Sequence, residues 1–235
     1  MIFENNYVEE KTINDAWRSV MWMCVRNGYD YVVEHGSYIG QIRRQLENVC
    51  VKITEPWVRP LAPFLPEGSN YSLTSDEKIR KYFNDYLIGS EKSENEDYTY
   101  GEFIAPQLYE AVYILKVSNG NSNQACITIG DPTSIFLKDP PCLRTLTFKI
   151  VKGKLNMSVF FRSWDLFCGF PENIGGLQLL KEEVLEFLNY AGLDIEDGSI
   201  FAYSDGLHLY EQYFSLVNTL CVDKIELPVK EDKFN

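Results

Sequence analysis

The chain has 235 residues and a formal net charge of −12, from 34 acidic and 22 basic side chains. That charge repels polyanionic nucleic acid as a substrate, and a composition 45% hydrophobic and 14% aromatic excludes a disordered chain. No apolar run has bilayer-spanning length and the start, "MIFENNYVEEK", is acidic and polar rather than leader-like, so the expected compartment is the cytoplasm.

Thr12 and Asn14 can cap a helix through "DAWRSVMWMCVRNG", which Gly28 would end. "NVCVKITEP" reads as a strand stopped by Pro56, and the proline-rich "RPLAPFLPEGSN" as a loop crossing the surface. "TSDEKIRKYFNDYLIG" has a Ser or Thr cap and ends at Gly89, which predicts a second helix; the acidic "SEKSENED" after it predicts a solvated loop. A third helix follows "YTYG" through "FIAPQLYEAVYILKV", with Pro106 in its first turn or bending it. "QACITIG" predicts a short buried strand. The clearest pattern is a hairpin, "RTLTFKIV" and "KLNMSVFFRS" joined by Lys152-Gly153. In its second arm Leu155, Met157, Val159 and Phe161 share one face, with Asn156, Ser158, Phe160 and Arg162 on the other. A long helix in "PENIGGLQLLKEEVLEFLNYAG" and a strand in "GSIFAYS" follow. Helices and strands mix without regular alternation, which predicts an α+β fold.

Six cysteines (24, 50, 126, 142, 168 and 221) are scattered with no C-x-x-C pair, so reduced thiols are expected rather than a disulfide framework or a metal site. Cys24 and Cys126 read as inert packing residues. Cys142 differs: in "DPPCLR" two prolines fix the backbone before it, at the start of a strand, with Arg144 two residues on. A thiol so placed, with Arg144 and Arg162 to lower its pKa, is a candidate nucleophile.

Four stretches, "YTYGEFIAPQL", "DPPCLR", "FFRSWDLFCGFPENIGGLQLL" and "YSDGLHLYEQY", together resemble thymidylate synthase and the related pyrimidine nucleotide hydroxymethylases from about residue 98 to residue 214. The resemblance implies a single domain, residues 1–235, with a mixed sheet carrying helices on one face and a second subunit of a homodimer on the other. It implies transfer of a one-carbon unit from 5,10-methylenetetrahydrofolate to carbon 5 of a pyrimidine nucleoside monophosphate, with no metal and no membrane partner. Carbon 5 is a poor nucleophile until a thiolate adds to carbon 6 and makes the ring an enamine, the role implied for Cys142. By the same matching Arg162 and Ser163 hold the phosphate, with Arg144 a further candidate. Asp165 and Tyr100 meet the folate, Asn173 reads the base, and His208 and Tyr210 bind the sugar hydroxyl. Asn173 can both accept and donate, as uracil requires. His35 reads as an ordinary structural histidine.

Departures accompany the match. Leu143 stands where the family commonly has histidine. Asn123 and Gln124 stand in place of an arginine pair supplied by the partner subunit, so Arg43, Arg44, Arg59 and Arg144 are candidate replacements. Tyr82 falls at the family's general-base glutamate, leaving Asp85 and then Glu102 as candidates. No tryptophan precedes the Tyr-Gly, only Tyr98 and Tyr100. The implied reaction is dUMP to dTMP. The alternatives are 5-hydroxymethylation of dUMP, dCMP or CMP and a catalytically degenerate relative that binds nucleotide or RNA.

Overall fold

A computed structural model describes residues 6–65, 71, 73–92, 94 and 96–225, of which 222–225 by backbone alone. Residues 66–70 of the proline-rich stretch and 93 and 95 of the acidic loop lie outside this set. Eight strands form one mixed sheet: β1 (Tyr7–Glu10), β2 (Tyr29–Val32), β3 (Ile42–Ile53), β4 (Cys126–Thr128), β5 (Leu143–Val151), β6 (Lys154–Phe161), β7 (Trp164–Asp165) and β8 (Glu196–Tyr210). The order across it is β1-β3-β8-β6-β5-β4, with β2 paired to β3 and β7 to β8. β1 runs parallel to β3, and β6 and β7 parallel to β8; the remaining pairs are antiparallel. The helices are α1 (Ile13–Asn27), α2 (Asp76–Tyr82), α3 (Gly101–Val117), α4 (Gly169–Tyr190) and α5 (Phe214–Ile225). None of the described helices is long and apolar enough to cross a membrane.

The register explains how the sheet divides. Val51, Ala202, Val159, Leu146 and Ile127 face one another across five strands, and all are buried. This row is covered by α1, α3 and α4, whose own buried residues recur at helical spacing. Leu155, Met157, Val159 and Phe161 of β6 all belong to this core. Burying each such side chain contributes about 1.5–3 kcal/mol. The expected second face carries Phe160, which stacks on Tyr203 at 5.5 Å, with Phe201 and Tyr203 exposed. The apolar arm of β6 is thus covered within the chain, and the other sheet face is open.

The hairpin turn is Lys152 (φ 51°) and Gly153 (φ 75°), the two left-handed residues that a two-residue connection of this twist requires. Thr12 caps α1 by accepting from the Asp15 amide at 3.1 Å, and Gly28 closes it. The paired glycines of α4 serve close approach. A Cβ on Gly175 would lie 2.7 Å from Ile79, and one on Gly176 2.7 Å from Tyr82, so α2 sits directly on α4. Glycine is a poor helix former; here its missing side chain brings Tyr82 against the start of α4.

Several expectations are corrected. The second predicted helix breaks at Tyr82 into a wider-wound segment, Phe83–Leu87, instead of running on to Gly89. Pro106 is the sixth residue of α3, which excludes the first-turn placement of the two expected; it lies inside the helix, where it removes one backbone donor without ending it. Leu61 and Ala62 are buried, so the proline-rich loop dips into the core. Of β4 only Ile127 is buried and Cys126 is exposed, because β4 is the sheet edge. β3 and β8 extend well beyond the predicted strands, and β1, β2, β7 and α5 are additional elements.

Candidate active site

The two prolines lie in an irregular segment, with bends at Asp139 and Cys142, that delivers Cys142 immediately before β5. Arg162, just beyond β6, holds that approach. Its Nε donates to the Pro141 carbonyl at 3.1 Å, and its Nη2 to the Pro140 carbonyl and toward Asp139 at 3.5 Å. Its amide donates to the Cys142 carbonyl at 2.9 Å. Arg162 therefore organises the loop that presents the thiol, and among the described residues its second terminal nitrogen has no hydrogen-bond partner.

A cavity of about 530 Å³ opens above this point. Its walls include Cys142, Arg144, Arg162, Ser163, Asp165, His208 and Tyr210, seven residues expected from the sequence. Arg43, Lys138 and the 35–38 loop complete it. Four cations, Arg43, Lys138, Arg144 and Arg162, face two carboxylates, Asp139 and Asp165. In a strongly acidic protein this is a local excess of positive charge, suited to a small anion.

Of the four candidate replacement arginines, two reach this cavity. Arg44 is spent on a bidentate pair with Asp30 (2.7 and 2.9 Å), and Arg59 Nη2 donates to both carboxylate oxygens of Glu182 (2.8 and 2.7 Å). Arg43 lies opposite Tyr210 in the β3–β8 ladder and donates to its hydroxyl at 2.7 Å, with its Nε buried and unpaired. Arg144 approaches Gly130, where a Cβ would lie 3.2 Å from its Nη1.

Electrostatics refine the expected thiol activation. Burial pushes the Cys142 pKa up, opposed by Arg162 and Arg43. The assisting cations are thus Arg162 and Arg43, rather than Arg144, and burial outweighs them. His208 is buried and its pKa is depressed to about 3, by desolvation first and then by Arg43 and Arg162. It is a neutral imidazole at physiological pH. Its Nδ1 lies 3.3 Å from the Gly206 carbonyl, a contact that places the proton on Nδ1, while Nε2 is buried without a partner. Asp165 accepts from the amides of Phe167 (3.0 Å) and Gly169 (3.2 Å), capping the turn into α4, and burial raises its pKa against those bonds.

Asn173 is not among the walls of this cavity. Its Oδ1 accepts from the indole Nε1 of Trp164 at 3.0 Å. The Tyr82 hydroxyl, fully buried, lies toward the same amide without an ordinary hydrogen bond. Tyr82, Tyr86, Tyr98 and Tyr100 form a contacting cluster, with ring centroids 5.1–6.2 Å apart. Tyr100 is 5% exposed and its hydroxyl accepts from the Leu143 amide at 3.2 Å, so it buttresses the backbone beside Cys142.

The two candidate general bases are elsewhere. Asp85 pairs with Lys81 and lines a separate cavity of about 630 Å³ bounded by Lys78, Tyr82, Tyr86 and Glu172. Glu102 accepts from the Thr99 amide at 3.2 Å and pairs with Lys92 at 3.0 Å, a helix-start role. Neither lines the Cys142 cavity. His35, expected to be structural, is exposed at the cavity rim. Its loop also supplies Tyr38, which packs on Tyr210 at 5.0 Å. The signal for this loop was present in "HGSYIG", where Gly36, Tyr38 and Gly40 all take positive φ between two strands.

Comparison with known proteins identifies the family. The family model "Thymidylate synthase" matches residues 90–229. Proteins named "Putative thymidylate synthase" are similar along nearly their whole length. The one from Methanosarcina acetivorans is 26% identical over 220 residues (91% of this chain, 93% of that protein). The one from Methanothermobacter thermautotrophicus is 28% identical over 223 residues (88% and 94%). A deoxyuridylate hydroxymethyltransferase of Bacillus phage SP01 is 34% identical over 104 residues, 40% of this chain and 26% of its own. With its family model matched over more than half its length, and Cys142 and Arg162 together in one basic cavity, the chain belongs to the thymidylate synthase family.

Proposed function

We propose that the chain transfers a one-carbon unit to carbon 5 of dUMP, giving dTMP. The observation that carries this reading is the convergence of Cys142, Arg162, Ser163, Asp165, His208 and Tyr210 on one cavity with an excess of cations. Cys142 adds as thiolate to carbon 6 of the pyrimidine, which makes carbon 5 the nucleophile. Arg43, Arg144, Arg162 and Ser163 hold the phosphate dianion, with guanidinium forks suited to its oxygens. His208 Nε2 accepts from the sugar hydroxyl beside Tyr210, because Nδ1 keeps its proton on Gly206. Asn173 reads the base. 5,10-Methylenetetrahydrofolate supplies the carbon and the reducing hydride, with Asp165 as its polar contact and Tyr100 as a wall behind the thiol. The carbon-5 proton displaced by the new bond passes to water in the cavity, and the Cys142 thiolate is expelled from carbon 6 as the product forms; Asp85 and Glu102 are each paired outside this cavity and take no part.

A second reading, 5-hydroxymethylation, is favoured by the phage relative and by the tyrosine cluster where the family places a tryptophan. Water rather than hydride would then capture the exocyclic carbon. Incubation with dUMP, dCMP, UMP or CMP and methylenetetrahydrofolate, with products weighed by mass spectrometry, separates the two. With 5-fluoro-dUMP a covalent adduct is expected on Cys142 and is lost in Cys142→Ser. An adduct on another cysteine would sink the nucleophile assignment, and nucleotide binding without product would favour the degenerate relative. A homodimer through the open sheet face, bearing Phe160, Phe201 and Tyr203, is part of the proposal; light scattering that finds an active monomer would remove it.

A further inference from the structure

We infer that Trp164 sets the choice of pyrimidine base by locking the orientation of the Asn173 amide. This rests on the reading of Asn173 as the base-contacting residue. A carboxamide presents one donor and one acceptor side by side, and rotation by half a turn exchanges them. The uracil edge offers N3–H as donor and the carbon-4 oxygen as acceptor. The cytosine edge offers the reverse, N3 as acceptor and the exocyclic amine as donor. A free asparagine reads either base by turning over, so asparagine alone does not discriminate.

Here the amide is not free. Trp164 Nε1 donates to Asn173 Oδ1 at 3.0 Å, and an indole nitrogen can only donate. Turning the amide over would set its NH₂ against the indole N–H and leave a buried donor unpaired. The Tyr82 hydroxyl lies toward the same amide without an ordinary hydrogen bond, and as both donor and acceptor it would tolerate either orientation, so the indole makes the choice.

Trp164 itself cannot follow a rotating amide. It is 2% exposed, stacked on Phe161 (4.1 Å between ring centroids, 6° between planes) and packed on Phe170 (4.6 Å). Its backbone pairs with Leu207 in the β7–β8 ladder. Asn173 lies in the first turns of α4, anchored through Phe170 and Ile174 in the core. The lock therefore joins two rigid elements, the strand that ends at Asp165 and the helix that follows it. Leu143, fully buried beside Cys142, offers no polar group to share this task.

The test is equilibrium binding of dUMP and dCMP to the intact protein by titration calorimetry, without folate, so that turnover plays no part. Trp164→Phe keeps the ring stack and removes the donor. Replacement of Trp164 by benzothienylalanine, in which sulfur takes the place of the indole N–H, preserves the shape if the phenylalanine variant folds poorly. The wild type is expected to favour dUMP. In either variant the dUMP-to-dCMP affinity ratio should fall roughly tenfold or more, mainly through tighter dCMP binding, because the unpaired-donor penalty disappears. A merely structural role would weaken both nucleotides alike and leave the ratio in place. An unchanged ratio, or a wild type that prefers dCMP, would overturn the inference. A wild type that binds neither nucleotide would overturn the site reading beneath it.

Discussion

Arg43 on β3 and Tyr210 on β8 face each other across the ladder, and the guanidinium donates to the phenol oxygen at 2.7 Å. The same guanidinium lies 4.9 Å from the Tyr210 ring centroid. Its neighbour Arg44 points to Asp30 instead. Two adjacent arginines on one strand project to opposite faces, so only one can serve the cavity. Arg43→Ala is therefore expected to raise the nucleotide KM at least tenfold, the order of effect of losing one charge-assisted hydrogen bond. Arg44→Ala and Arg59→Ala should change it less than about twofold, since exposed ion pairs contribute little and neither side chain reaches the cavity. Steady-state kinetics on the three variants check this; equal effects at Arg43 and Arg44 would refute the placement.

His208 makes a prediction about acid. Its pKa in the folded protein is depressed to about 3, against an ordinary value of 6.5. Above pH 6.5 both folded and unfolded forms are neutral and the group has no effect on pH dependence. As pH falls below 6.5 the unfolded chain takes up a proton that the folded chain refuses, so folding stability drops toward pH 3. The slope from this one residue reaches about 1.4 kcal/mol per pH unit. His208→Gln keeps a polar side chain and removes the titration. Denaturant unfolding of both proteins from pH 7 to pH 4 should show the variant losing less stability than the wild type, the gap appearing below pH 6.5. Parallel curves would show that His208 is not buried as a neutral imidazole.

What could be read from the chain follows from where each residue sits. β5 and β6 alternate cleanly because one face is core and the other open. β8 reads short from sequence because Asp205-Gly206, a turn-like pair, follows "GSIFAYS", whereas in the fold the strand runs straight through it to Tyr210. The first half of β3, "IRRQLE", has one buried position in six and no apolar period. Cys142, Arg162 and His208 carried local context that marked them. Arg43 had none: it is distinguished from Arg44 only by its register opposite Tyr210. The candidates Asp85 and Glu102 rested on nearness in sequence to a family position, and a helix turn is enough to aim a carboxylate elsewhere. The Trp164–Asn173 bond joins a strand to a helix and leaves no periodic trace in the sequence.

The last prediction concerns the scaffold beneath the site. Lys181 on α4 is fully buried and pairs with Asp197 on β8 at 2.8 Å, also donating to the Gly198 carbonyl. Gln178 of α4 reaches Asp197 as well, at 2.7 Å. Burial pulls the Lys181 pKa down while Asp197 pulls it up, and burial prevails. The pair joins the helix that carries Asn173 to the strand that carries His208, far along both from the cavity. Asp197→Ala leaves an ammonium in the core with its counter-charge gone, a loss of about 3–5 kcal/mol. Lys181→Met together with Asp197→Leu replaces both charges by apolar groups and should recover most of that, since the desolvation cost goes with them. Urea unfolding of the single and double variants decides it. A single variant as stable as the wild type would mean that Lys181 is not held as a buried ion pair, and a double variant no better than the single would mean that the α4–β8 contact depends on the charges themselves.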